Sequence, residues 1–520
     1  MRRRQFMLAL PAAAATGLCA SACSPENASA PGRPGDPKQG APESLTIGML
    51  LEPPGLDPTA GAAAAIAEIT LYNVYETLTK IGPDGRPGPL LALNWENEPD
   101  LKHWTFYLRR DAVFSNGQPL TAQTVKYAFE RAAHEGSTNK DKRVFANMRQ
   151  IEAVDAPAAS AADAPPLVRI TLAEPEPDLP FLLGQATSII VEPQSAAHNA
   201  SQPTGTGPYA LERWNRGALL TLQARPDWRD APAIAYKRVH FRFIGDPAAQ
   251  IAALLAGDVD LFPRVSERGA ARLQADKRFV LKQVGSRAKT ILAFNHRHPA
   301  LADVRVRRAI CAAIDRQAVL QAAQNGMGQP IGSHYTPGAP GYVDTTGINP
   351  HDPDRARALL RQAALPAPLA LTLTLPPTPY ARQGGEVVMA QLAQVGIQVK
   401  AHNVEWAQWL DQTYGQAQFD LTLISHVEPF DLGNWAKPGY YWGYHNPRFN
   451  QLYERLRSTA DETGRDALLA QIQRLLAEDA AAAFLYQPRW LIAARQGIQG
   501  LPDEMPLFTN DLSALRERPA

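Results

Sequence analysis

The residues best suited to bind another molecule lie close together in residues 425–444. Two acids, Glu428 and Asp431, stand here among the aromatic residues Phe430, Trp435, Tyr440, Tyr441 and Trp442. A carboxylate can pair with an ammonium group, and aromatic rings can stack against flat or amphipathic groups. These residue types therefore make the stretch the candidate ligand-binding site. Packing of these rings inside the protein is the alternative, since clustered aromatic residues often serve packing.

The element that positions this stretch is a predicted strand. Residues 419–424 are mostly apolar and end just before Ser425. In open α/β sheets, ligands bind in the crevice beyond the carboxyl ends of the strands. Glu428 and Asp431 therefore lie where such a sheet would present a ligand.

No known catalytic or cofactor motif accompanies these residues. The sequence has no G-x-S-x-G, H-E-x-x-H, paired C-x-x-C or P-loop motif. The loop at Gly205 and Gly207 lacks the Lys-Ser/Thr of a phosphate-binding loop, and Pro208 removes one N–H donor. Cys311, within an apolar helical pattern, is predicted to be a small buried hydrophobe. We predict no catalytic residue, metal site or cofactor, and expect a protein that is not an enzyme.

The composition of the chain limits the classes of molecule that it is expected to bind. The 520 residues include 52 Lys and Arg against 51 Asp and Glu, a formal net charge of +1. This balance gives no support for nucleic-acid binding, which requires a basic patch or excess. The length allows two or three domains with substantial cores. The 45 dispersed prolines, with 45% hydrophobic residues, indicate a loop-rich α/β protein rather than disorder.

The first 23 residues have the pattern of an export signal. Three arginines at positions 2–4 precede a mostly apolar stretch over residues 6–18, which is short for a membrane span. The start resembles a twin-arginine export motif, and both the Sec and the twin-arginine routes stay open. The A-S-A-C sequence ending at Cys23 resembles a lipobox, which would place a lipid anchor on Cys23. Simple cleavage near Ala22 is the alternative, and residues 24–44 are predicted to form a flexible tether.

Residues 104–131 predict a strand, a tight turn and an amphipathic helix. Trp104, Phe106 and Leu108 alternate with more polar residues, which is typical of a strand with one buried face. The S-N-G sequence at 115–117 predicts a turn, because Asn and Gly tolerate positive φ. Thr121 is the expected N-cap of the following helix.

This strand, turn and helix resemble the signature of the extracytoplasmic solute-binding proteins of the peptide/nickel class, bacterial family 5, which serve ABC importers. The matching positions are Phe114, Ser115, Gly117, Pro119, Leu120, Thr121, Ala122, Val125 and Phe129. Other segments extend the resemblance: a predicted helix over residues 66–78 with a turn at Asp84-Gly85, the G-T-G-P-Y sequence at 205–209, and Asn295 with the helix that Asp303 caps.

The resemblance implies an α/β protein with the two-lobed periplasmic binding protein fold of the large cluster C type. Residues 45–290 and 486–520 would form the first lobe, with an inserted subdomain at about 86–200. Residues 291–485 would form the second lobe.

The resemblance also implies the function of a substrate-binding component of an ABC importer. Such a protein captures a short peptide or another small amino-bearing solute between its lobes by hinge closure and delivers it to a membrane permease. In peptide-binding relatives an Asp of the corresponding loop holds the ligand's amino group, which makes Asp431 the candidate here. The loop departs from the usual pattern, since Pro429 precedes this acid and Leu432 follows it. The expected protein is a monomer in the periplasm or on the outer face of the cytoplasmic membrane.

Two alternatives accompany this prediction. A member of the same family that binds nickel or a metal chelate is the first, with His402, His426 and His445 near the candidate loop in sequence. An exported hydrolase on the same scaffold is the second, and the absence of catalytic motifs weighs against it.

Overall fold

The computed structural model describes residues 43–61, 63–155, 165–364, 368–429 and 431–518. The predicted export signal, Cys23 and nearly all of the predicted tether lie outside these residues, as does Phe430. Within the described ranges, no helix combines the length and the apolar character that a membrane span requires.

An eight-stranded mixed sheet, here called the first sheet, is built from three separate parts of the chain. Ser44–Met49 lies near its middle and pairs in parallel with Arg238–Phe243 and Leu261–Phe262. In order across the sheet, the strands are Glu504–Met505, Phe279–Ser286, Trp490–Arg495, Leu261–Phe262, Ser44–Met49, Arg238–Phe243, Leu219–Ala224 and Tyr209–Asn215.

A six-stranded mixed sheet, here called the second sheet, is formed by residues between 289 and 488. Leu369–Leu375 pairs in parallel with both of its neighbours, and the other pairs are antiparallel. In order across the sheet, the strands are Gly328–Pro330, Ala482–Pro488, Lys289–Phe294, Leu421–His426, Leu369–Leu375 and Ile397–Asn403.

A separate four-stranded sheet contains the strand predicted at residue 104. Its strands, in order, are Ala92–Asn97, His103–Leu108, Leu167–Leu172 and Met148–Val154. Trp104, Phe106 and Leu108 are buried, which confirms the predicted alternation. Two hairpin-like pairs complete the strands: Thr79–Ile81 with Pro87–Pro89, and Ile498–Gln499 with Arg516–Glu517.

The helices cover the sheets and fill the connections between strands. The α-helices are Ala64–Thr70, Ala122–Ala133, Lys142–Ala146, Leu179–Leu182, Pro247–Ala256, Glu267–Gln274, Pro299–Ala302, Val304–Ala313, Arg316–Gln324, Pro353–Ala363, Pro379–Gln394, Trp406–Gln408, Pro447–Arg457 and Glu462–Glu478. Short 3₁₀ helices span Ala186–Ser188, Ala231–Ala233, Thr346–Ile348 and Leu432–Ala436, and a π-helix spans Trp409–Gly415. The predicted caps are confirmed, since Thr121 and Asp303 accept hydrogen bonds from the first turns of their helices.

The helix predicted over residues 66–78 is wrong in its second half, because the helix ends at Thr70. Tyr72 has a φ of +62°, which a helix cannot continue. The segment that follows forms a turn over residues 72–74 that binds the G-T-G-P-Y loop: Gly207 N donates to Val74 O at 3.0 Å, and Tyr209 N donates to Asn73 O at 2.9 Å. This loop therefore packs against backbone and serves the fold.

The chain crosses between the two large sheets twice, at neighbouring points. It leaves the first sheet at Ser286 and enters the second at Lys289, and it returns between Pro488 and Trp490. The crossings are tied together: Gln487 Nε2 donates to Ser286 O at 2.6 Å, and Ser286 Oγ donates to Pro488 O at 2.9 Å. Two short adjacent connections suit a hinge between two bodies.

Candidate functional site

A cleft of about 470 Å³ lies between the part of the chain that carries the first sheet and the loop that follows Leu421–His426. One wall combines the helix Ala64–Thr70, residues 140–143, residues 182–187 and residues 506–508. The other wall is formed by Val427, Glu428, Pro429, Asp431 and Asn434. A second cavity of about 450 Å³ is lined by residues 72–89, 261–263 and 492–515 and none from the second sheet. The cleft is the better candidate, because both large parts of the molecule contribute to it.

The cleft wall carries exposed polar groups on both sides. Lys140 and Arg143 are exposed on the first wall, and Glu428 is exposed on the second. The carboxylate of Asp141 accepts a 2.7 Å hydrogen bond from Thr187 Oγ1. The remaining lining is largely small or apolar, and comprises Pro58, Gly61, Ala63, Ala64, Ala67, Leu71, Leu182, Ala186, Val427, Pro429, Pro506, Leu507 and Phe508. A few charged groups over apolar surface are typical of a small-molecule site.

Asp431 reaches this wall but is only 5% exposed. Lys289 Nζ lies 2.6 Å from its Oδ1, and His334 Nε2 lies 2.7 Å from its Oδ2. Because an ionised carboxylate can only accept, His334 carries its proton on Nε2. His426 Nδ1 stands 3.6 Å from Oδ2, and its Nε2 shares a 3.0 Å hydrogen bond with Tyr441 OH. The carboxylate predicted to hold a ligand amine therefore has partners within the protein, and its contact with a ligand stays a prediction.

The electrostatics of this cluster follow from its burial. Burial by itself would raise the pKa of the Asp431 carboxyl, but His334 and Lys289 outweigh burial and hold the pKa well below its usual value. Burial lowers the pKa of His334, and it lowers the pKa of His426 to about 3. Both imidazoles are therefore neutral at pH 7, and the ammonium of Lys289 balances the charge of Asp431.

The predicted aromatic contacts divide into buried and accessible rings. Trp435 and Trp442 are fully buried and stacked, with ring centroids 3.9 Å apart, and Tyr441 is 2% exposed beside them. Tyr440 is half-buried, with its ring centroid 4.4 Å from that of Trp442. The structure thus places three rings in a core, which fits the packing alternative. Direct ligand contact by these rings stays a prediction.

Lys289 and His334 belong to the site but were not foreseen from the sequence. They lie 142 and 97 residues before Asp431, so local spacing cannot reveal the contact. One signal was present: Lys289 begins a strand whose other residues are nearly all apolar. A buried lysine requires a partner, so this position points to an acid elsewhere in the fold.

His334, His426 and Asp431 also bring potential metal-ligand atoms together. Lys289 is already hydrogen-bonded to Asp431, and its ammonium would repel a divalent cation at the same carboxylate. The arrangement therefore does not favour the nickel alternative. Of the three histidines near the loop in sequence, only His426 takes part in this grouping.

The buried histidines predict a loss of stability in mild acid. Burial lowers the pKa of His426 to about 3 and that of His296 to about 4, below the 6.5 of an unfolded histidine. The unfolded state therefore binds more protons, and the free energy of unfolding falls as pH drops from about 6.5, by at most about 1.4 kcal/mol per unit for each histidine. Urea unfolding at pH 7, 6 and 5 measures this slope. We expect His426→Gln to flatten it and the exposed control His351→Gln to leave it unchanged; equal slopes in all three proteins would contradict the assignment.

Comparison with known proteins agrees with this architecture. The family model of bacterial extracellular solute-binding proteins, family 5, matches residues 86–447. The probable D,D-dipeptide-binding periplasmic protein DdpA of Escherichia coli is 25% identical over 484 residues, covering 88% of this chain and 91% of the relative. The di/tripeptide-binding protein 2 of Pseudomonas aeruginosa is 25% identical over 521 residues, covering 92% and 96%. Among solved structures, HbpA2 from Haemophilus parasuis has a TM-score of 0.83 at 20% identity, covering 91% of this chain and all of that one.

Proposed function

Because the chain belongs to family 5 of the bacterial extracellular solute-binding proteins, we propose that it is the substrate-binding component of an ABC importer. It captures a short peptide or another small amino-bearing solute between its two lobes and delivers that solute to a membrane permease. The observation that carries the proposal is the cleft between the two sheet-bearing parts, which are joined by only two adjacent crossings in the described chain.

The ligand class is supported by the relatives and by the size of the cleft. The two curated relatives are named for binding D,D-dipeptides and di- or tripeptides. A cleft of about 470 Å³ falls in the range typical of small-molecule sites, about 300–1,000 Å³. Small side chains such as Ala63, Ala64 and Ala67 leave room beside the helix for a peptide backbone.

Hinge closure is the proposed mechanism of capture. The tied crossings at 286–289 and 488–490 form the hinge, and the predicted lobes are residues 45–290 with 486–520 and residues 291–485. Arg465 and Asp178 join the two lobes at one side, with Nη2 and Oδ1 2.5 Å apart. Closing the cleft would bring Lys140 and Arg143 toward Glu428 and bury the solute between them.

Export and anchoring complete the proposal. The N-terminal pattern supports delivery to the periplasm or to the outer face of the cytoplasmic membrane, with Cys23 as the site of a lipid anchor. A binding role is proposed in preference to an exported hydrolase, because the family consists of solute-binding proteins. Within the described chain the free cysteine, Cys311, is buried, and burial raises the pKa of its thiol to about 11, which disfavours a nucleophile.

Blocking the cleft tests the proposal. Ala64 is exposed on the cleft wall, so Ala64→Trp should fill the cleft without disturbing the core. Calorimetric titration with a library of di- to tetrapeptides is expected to find ligands for the wild type and at least about tenfold weaker binding by the variant. Ala271→Trp, an exposed helical position outside the cleft, is the matched control. Equal binding by Ala64→Trp, or no binding of any peptide by the wild type, would refute the proposed function.

A further inference from the structure

Asp431 is the buried carboxylate at the wall of the cleft, and both of its oxygens are already engaged. Oδ1 lies 2.6 Å from Lys289 Nζ, and Oδ2 lies 2.7 Å from His334 Nε2. The side chains of Lys289 and Asp431 are each only 3% exposed. A cation arriving from the cleft would have to displace one of these partners.

Lys289 is held firmly in this position. It is the first residue of the strand Lys289–Phe294, directly after the crossing from the first sheet. Its Nζ also donates to Glu428 O at 2.5 Å, so the ammonium binds both Glu428 and Asp431. The ammonium is thus held behind the cleft wall by Glu428 and Asp431, and removing it would leave a buried carboxylate without its counter-charge.

Building on the proposed function, we propose that Lys289 determines specificity by supplying, from within the protein, the ammonium that a ligand would otherwise place against Asp431. The cleft then anchors its solute through a carboxylate and not through an amino group. Its ligand class is short peptides bound through a carboxylate, N-acylated as well as free, because the amino group contributes little.

The charges that remain at the cleft agree with this assignment. Lys140 and Arg143 on the first wall form no ion pair with any carboxylate of the described residues, and Asp141 beside them is hydrogen-bonded to Thr187. Lys437 lies outside the cleft lining, and its Nζ donates to the amide oxygen of the lining residue Asn434 at 2.9 Å. Burial and the charge of Arg143 lower the pKa of Lys437.

Glu428 is the one exposed acid of the cleft lining. Its Oε2 accepts a 3.1 Å hydrogen bond from its neighbour Val427 N. An exposed ion pair with a ligand amine adds only about 0.2–1 kcal/mol, or at most about fivefold in affinity. The two cations of the lining without an ion-pair partner among the described residues, Lys140 and Arg143, against one exposed acid favour an anionic solute.

The first experiment tests Lys289 without any knowledge of the ligand. Lys289→Ala removes the side chain and leaves Asp431 facing an empty space shaped like an alkylammonium. Added n-propylammonium is expected to raise the Tm of this variant, whereas 1-propanol is not, and neither compound should shift the wild type. The double variant Lys289→Ala/Asp431→Ala is the control, and neither compound should shift its Tm.

If Lys289→Ala does not fold alone, its refolding yield with and without n-propylammonium tests the same assignment. A response equal in wild type and variant, or no response in the variant, would overturn the assignment.

The second experiment compares one peptide in free, N-acetylated and C-amidated forms. Trialanine is the probe, extended to any hit of the peptide library. For the wild type, acetylation should change Kd by less than about fivefold and amidation should weaken binding about tenfold or more. Lys289→Ala should instead prefer the free amine by about tenfold. A wild type that requires the free amine would refute the inference. Failure of every peptide form to bind would refute the proposed function, while the alkylammonium response would still decide the role of Lys289.

Discussion

Replacing Asp431 by asparagine is expected to lower the free energy of unfolding by about 3–5 kcal/mol. The substitution keeps the size of the side chain, so no cavity is created. It leaves the ammonium of Lys289, 2.6 Å away and almost fully buried, opposite a neutral amide. Breaking a buried pair from one side is costly because an uncompensated charge stays in the interior. Urea unfolding followed by tryptophan fluorescence measures the change.

A double variant separates charge from packing in this test. Lys289→Met/Asp431→Asn removes both charges and keeps an acceptor for His334, so we expect it to be more stable than Asp431→Asn alone by about 2 kcal/mol. Glu152→Gln, which breaks the exposed pair with Arg169, is the control and should cost less than about 1 kcal/mol. A double variant that is no more stable than Asp431→Asn would contradict a buried pair.

The second large effect is expected at the loop over residues 205–209. A Cβ atom on Gly205 would lie 2.0 Å from Val74 O, and one on Gly207 would lie 2.3 Å from Asn73 O. These carbonyls are fixed, since Val74 O accepts from Gly207 N and Asn73 O accepts from Tyr209 N. Gly205→Ala is therefore expected to cost about 3 kcal/mol. Gly347→Ala, where a Cβ would meet nothing within 4 Å, should be close to neutral.

This comparison also decides between two roles of the Gly-rich loop. Thermal unfolding of both variants, with and without inorganic phosphate, is the measurement. If the loop is structural, Gly205→Ala should unfold at a much lower temperature than the wild type, and phosphate should not stabilise the wild type. A wild type that is stabilised by phosphate would contradict the structural role.

Local patterns predicted much of the fold. The strand at Trp104 and the helix capped by Thr121 were foreseen because alternation, turn residues and caps act between neighbours in sequence. The end of the helix at Thr70 was missed, because it depends on pairing with a loop more than 100 residues later. The family was recognised through such local motifs, and its two-lobed fold followed from the resemblance.

The site was less accessible to sequence reasoning. Asp431 and Glu428, the two acids singled out from the sequence, both line the cleft, yet nothing local distinguishes the buried acid from the exposed one. The sequence shows two nearby tryptophans, Trp435 and Trp442, and it would be the same whether their rings stack on a ligand or, as the structure has them, on each other. Lys289 and His334 reach Asp431 only through the assembly of the second sheet, so their partnership needed the tertiary structure.

Capture of a solute in the cleft can be observed by native mass spectrometry of the untagged protein, isolated from a host that exports it. We expect wild type and Ala271→Trp to carry one small organic solute per chain and Ala64→Trp to carry none. Fragmentation of the released solute would identify its carboxylate and show whether its amino group is free or blocked. The same solute on Ala64→Trp, or a metal ion as the sole bound species on the wild type, would contradict capture of an organic solute in the cleft.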